Sequence, residues 1–120
     1  MRLGKKTTGG RYQKARKSRL FEKKAQPRVV RLGEKRTKIL RTMGGNKKLV
    51  SLGGDTVNLI VKGKAKKAKI KNVSETPSNR FWARQNILVK GAIIETDLGK
   101  ARITNRPSQE GQIQCILLEK

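Results

Sequence analysis

The chain has 120 residues and carries 31 Lys and Arg against eight Asp and Glu, a formal charge of +23, which points to a polyanionic partner. It contains no histidine and one cysteine, so the commonest general base near neutral pH, an internal disulfide and a multi-cysteine metal site are all excluded. No catalytic activity, cofactor, metal or small-molecule substrate is expected. The longest apolar run is the four residues Cys115 to Leu118, too short for a membrane span or a signal-peptide core, and a soluble, cytoplasmic protein is expected.

Charge and core are segregated along the chain. The first 48 positions hold 18 basic residues against Glu22 and Glu34, a net +16; the other 72 hold 13 basic and six acidic residues, a net +7, and 28 of the 41 apolar residues. Residues 1–36 therefore read as a basic, extended arm whose self-repulsion and lack of apolar anchors oppose compaction until it meets phosphate. Residues 37–120 read as a globular domain. Within the arm, Gln13 to Ala25 has a loose helical spacing, with Ala15, Leu20 and Phe21 on one side. Its charge disfavours a helix unless the partner neutralises it. The arm also lacks the wide apolar face that a membrane-surface helix needs.

Beyond the arm, short strands alternate with glycine turns. The expected strands are Thr37 to Met43, Leu49 to Leu52, Thr56 to Val61 and Ala65 to Val73. The turns between them fall at Gly44-Gly45-Asn46, Gly53-Gly54-Asp55 and Gly63. Val57, Leu59 and Val61 alternate as one buried face requires, and Ala68 and Ile70 oppose an outward row of Lys67, Lys69 and Lys71. Thr76-Pro77 predicts an N-cap followed by a short helical turn over Ser78 to Arg84, with Phe81 and Trp82 closing one end of the sheet. Strands follow at Asn86 to Val89, Ala92 to Thr96 and Lys100 to Thr104, with Gly99 in the left-handed position of a bulged hairpin. Gln112 to Leu118 is the last. The expected fold class is all-β: a small antiparallel β-barrel with a short helical turn behind a basic, extended N-terminal arm.

Several residue patterns bear on chemistry. Glu95 and Asp97 are a close carboxylate pair, but they flank a hairpin turn and lack an acid/base partner. Gly63-Lys64 and Gly99-Lys100 end like phosphate-binding loops yet lack the earlier glycine and the following Ser or Thr. Cys115 sits in an apolar run and reads as a core residue. The density of Arg11, Lys14, Arg16, Lys17 and Arg19, with Lys5, Lys6, Arg28, Arg31, Lys35 and Arg36 around them, serves no structural purpose in an arm. Such side chains fix register on a phosphate backbone, and shape-guided binding to folded RNA is expected. Tyr12 and Phe21 lie among them and could stack on unpaired bases. Lys38, Arg41, Lys67, Lys69 and Lys71 extend the candidate surface onto the body.

Three stretches carry a family resemblance: Thr8-Gly9-Gly10-Arg11-Tyr12 with Lys14-Ala15-Arg16-Lys17, then Gly44-Gly45-Asn46-Lys47-Lys48, then Lys90-Gly91-Ala92-Ile93-Ile94-Glu95-Thr96-Asp97-Leu98-Gly99-Lys100-Ala101-Arg102. Together they resemble the archaeal and eukaryotic small-subunit ribosomal proteins of the S-eight-e family, over essentially the whole chain. The resemblance implies a β-barrel body with an N-terminal extension threaded into small-subunit ribosomal RNA. It adds Asn46, Lys47 and Lys48 to the candidate RNA contacts, neighbouring small-subunit proteins as partners, and a place on the cytoplasmic ribosome. The alternatives are a free-standing architectural protein that compacts DNA and a ribosome-assembly factor; preference for structured RNA over duplex DNA separates the first of these.

Overall fold

The computed structural model describes residues 4–12, 16–22 and 27–118. Among these residues are eight strands and one short α-helix, the first strand lying inside the stretch expected to be arm: β1 (Arg31–Leu32), β2 (Arg36–Arg41), β3 (Lys47–Gly54), β4 (Thr56–Val61), β5 (Lys64–Glu75), α1 (Arg80–Arg84), β6 (Ile93–Thr96), β7 (Gly99–Ile103) and β8 (Gln114–Leu117). The last five strands close into a barrel in the order β4-β5-β6-β7-β8. Every barrel pairing is antiparallel except the closing one, in which β4 runs parallel to β8 with Leu59 opposite Cys115.

Local chemistry accounts for the hairpins. The β4–β5 turn is Lys62-Gly63, with φ of +46 and +77, and positive φ at both central residues matches the right-handed twist of the strands on either side. At the β6–β7 turn Gly99 has φ +127 and pairs directly with Thr96 across Asp97-Leu98. That is a two-residue hairpin, one residue tighter than the bulged loop expected. Strand β5 serves two neighbours: Lys64 to Lys69 pair with β4, and Ile70 to Glu75 pair with β6. Register shifts after Ile70 and Val73 bend it around the corner, as closure of a small barrel demands.

The interior is filled by Val57, Leu59, Ala68, Ile70, Val73, Leu88, Ala92, Ile94, Ala101, Ile103, Ile113 and Cys115. Small residues share the space with Leu and Ile because five strands enclose little more than side-chain width. Val30 joins this core from outside the barrel strands. Its carbonyl accepts from Leu88 N at 2.8 Å, and Leu32 N donates to Asn86 O at 3.0 Å, so the chain is already docked on the body before Arg36.

Three sequence expectations are corrected here. The strands at Arg36–Arg41 and Lys47–Gly54 are not barrel staves; with β1 they form a separate three-stranded sheet, β1-β3-β2. Gly53 shows why β1 can lie so close: a Cβ there would stand 3.0 Å from Glu34 O and 3.4 Å from Arg31 O. The extended run expected at Asn86 to Val89 is no strand but a single bridge, Arg31 to Ile87. Asn86 at φ +52 and Gly91 at φ +84 cut it short on either side. The helix begins a turn later than Thr76: Asn79 Oδ1 accepts from Phe81 N at 2.9 Å, and the Thr76 hydroxyl donates to Asn79 O. This leaves Phe81 68% exposed, so Val30 and Leu88, not Phe81, supply the buried apolar side chains beside the barrel strands.

Candidate nucleic-acid interface

The candidate contacts fall into three groups, each presented by a different local structure. In the arm, Lys5 and Arg11 bridge, Lys6 N donates to Gly10 O at 2.7 Å and Gly9 N to Lys6 O at 2.9 Å. Thr7 to Gly10 is thus a closed loop with basic residues at its base. Lys6 Nζ stands 5.7 Å from the centre of the Tyr12 ring, a cation–π pair that orients both. Lys14 lies outside the described residues. Arg16 pairs with Glu22, whose carboxylate also accepts from Arg19 N at 3.0 Å. Glu22 closes the short turn Leu20–Glu22 and leaves Phe21 78% exposed. The helix considered for Gln13 to Ala25 is therefore only that turn among the described residues.

The second group lies on the three-stranded sheet. Arg31 is exposed on β1, Lys35 on the loop after it, and Arg36, Lys38 and Arg41 on β2. Arg41 stands directly opposite Lys47. Asn46 ends the β2–β3 turn and its carbonyl accepts from both Thr42 N, at 2.7 Å, and Thr42 Oγ1, at 3.0 Å. Lys48 is half-buried and donates to Gln109 Oε1, which draws its ammonium toward the barrel. Lys48 therefore also joins the hairpin to the 106–111 loop, a seam closed by Leu49 against Gly111. Arg28 is exposed ahead of β1.

The third group is the barrel face. Lys67 and Lys69 point outward from β5 beside Asn58 and Thr56 of β4, while Ala68 and Ile70 point in. The row foreseen from alternation is real, and Lys71 continues it 3.4 Å from Asp97. A cleft of about 270 Å³ between the sheet and the barrel brings Lys35 and Lys67 to the same rim, with Thr56, Asn58 and Gln112 between them. Asn58 Nδ2 donates to Gln112 Oε1 at 3.2 Å. These polar residues escaped the sequence reading because only the parallel β4–β8 closure places them together.

Among the described residues three ion pairs form, on Arg16, Arg36 and Lys71, all exposed. Exposed pairs of this kind contribute little to stability, and the other exposed basic side chains among the described residues face solvent. Cys115 is fully buried, and desolvation pushes its thiol up to about 12, which suits packing and not reactivity.

A closed β-barrel with a cationic arm, hairpin and face defines the class: a small, strongly basic all-β protein. Comparison with known proteins narrows this class: the profile of ribosomal protein S8e matches residues 1–118, and the chain belongs to that family. Three archaeal relatives, each named small ribosomal subunit protein eS8, match it over most of their length. That of Methanoregula boonei is 44% identical over 116 residues, covering 95% of this chain and 93% of the relative. That of Methanospirillum hungatei is 43% identical over 117 residues, covering 96% and 94%. That of Methanocorpusculum labreanum is 42% identical over 117 residues, with the same coverage.

Proposed function

We propose that this chain is a structural constituent of the small ribosomal subunit that binds and stabilises ribosomal RNA through its basic arm and the basic face of its barrel, and so supports translation. Its partners are small-subunit ribosomal RNA and neighbouring small-subunit proteins, on the cytoplasmic ribosome. The observation that carries the reading is the presentation of cations on three separately folded supports, arm loop, hairpin and β5, in a chain of the S8e family. Supports at different positions suit a folded RNA, which offers phosphates in several directions; a uniform duplex calls for one continuous stripe.

The test is twofold. The tagged protein should sediment with the small subunit after a high-salt wash, and the purified chain should prefer structured small-subunit RNA to duplex DNA at equal ionic strength. Equal affinity for both nucleic acids, with loss from the subunit in the wash, would favour the free-standing architectural alternative.

A further inference from the structure

The tip of the β2–β3 hairpin combines three features that serve no purpose in the isolated protein. Met43 is 95% exposed. A single exposed apolar residue is unremarkable by itself, but this one is held in place: Gly44 and Gly45 take φ of +75 and +78, and Thr42 closes the turn onto Asn46 O through both its amide and its hydroxyl. Immediately beneath, Arg41 and Lys47 are cross-strand partners on one face of the ribbon. Like charges directly opposed destabilise a sheet unless an anion lies between them. On that same face, next in register, Ile39 is 64% exposed. From Arg36 to Gly54 the chain has five basic residues and no acidic one.

We propose that the β2–β3 hairpin enters RNA tip first, with Met43 seated as an apolar wedge against a base and a phosphate held between Arg41 and Lys47. Apolar wedges beside cationic side chains are a physically sound way to engage a stacked nucleic acid, since the base face excludes water and the phosphate neutralises the flanking charges. The unopposed positive charge of the hairpin selects a nucleic acid over a protein surface as the occupant. The inference rests on the RNA-binding reading and adds to it a contact that is not electrostatic.

That distinction supplies the experiment: equilibrium binding of the full chain to transcribed small-subunit ribosomal RNA over a range of salt concentrations. Met43→Gln, at a fully exposed position, should weaken binding about fivefold or more, the effect of losing one buried apolar contact. The slope of log affinity against log salt should not change, because no phosphate contact is removed. Met43→Leu should bind as the wild type does. Arg41→Gln should lower the slope by about 0.7 to 0.9. Wild-type affinity in Met43→Gln, or a slope change as large as that of Arg41→Gln, overturns the wedge. So does intact affinity for naked RNA with impaired uptake into the subunit, which would place a protein at the tip. Failure of the wild-type chain itself to bind the RNA overturns the underlying reading, and that arm is scored separately.

Discussion

In the barrel each strand has two partners and alternate residues of β4 to β8 turn inward, whereas β2 has one partner and only Leu40 of its six residues is even half-buried. The barrel abolishes its edges by closing on itself; the hairpin sheet leaves an edge and protects it with Arg36, Lys38 and Arg41. Charged side chains on an edge strand discourage pairing with other chains, and here the same charges form the candidate RNA surface. The difference shows a small protein separating two tasks in space: the barrel concentrates burial, while β2 and the tip of its hairpin are left to be shaped by contact. Val30 crosses that division, a residue from the basic half that the barrel claims for its core.

The sharpest way to break this comparison is to delete residues 1–27, which removes ten basic residues and Glu22 but keeps Val30 and β1. The barrel should remain folded by circular dichroism while affinity for small-subunit RNA falls by orders of magnitude. If about half of the removed cations reach phosphates, the salt slope should drop by roughly three to four. An undiminished slope would move the binding surface onto the sheet and barrel.

A smaller effect probes the exception. Val30→Ala should destabilise the barrel by about 1–3 kcal/mol in urea unfolding, because it opens a cavity in a core whose other members are all more than twenty-five residues away in sequence. A loss of RNA affinity with unchanged stability would instead assign Val30 to the arm.

The effect that is smallest at neutral pH, where the thiol is protonated in both states, concerns the alkaline limb. Cys115 ionises near 9 when exposed and is pushed up to about 12 in the barrel. The folded protein therefore keeps a proton that the unfolded chain loses. Stability from this source is fully present below about pH 9 and declines as pH rises from 9 toward 12, by up to about 1.4 kcal/mol per pH unit. Cys115→Ala should lose stability less steeply with alkaline pH than the wild type does; identical slopes would show that the thiol makes no such contribution.

Much of the barrel was legible in the sequence. Val57 and Leu59 against the exposed Lys67 and Lys69, and the turns at Gly63 and Gly99, follow from side-chain alternation and from φ preferences, which are properties of neighbouring residues. The three-stranded sheet was misassigned because strands β2 and β3 have the same local character as those of the barrel. Phe81 was misassigned because large apolar residues are usually buried, and the later start of α1 at the Asn79 cap turns it outward.

Two things the sequence by itself determined: that this chain carries a charge suited to a polyanion, through the excess of 31 basic over eight acidic residues, and that its body is made of short strands, through period and turn chemistry. Only the tertiary structure decided which strand neighbours which. The parallel closure of β4 on β8, the docking of Val30 beside Leu88, the cleft joining Lys35 to Lys67 and the opposition of Arg41 to Lys47 are all of this kind. Alternation states that a strand has an inner face but not what lies beyond its edges. That choice depends on loop closure and on which interior can be filled without voids, quantities set by the whole chain at once.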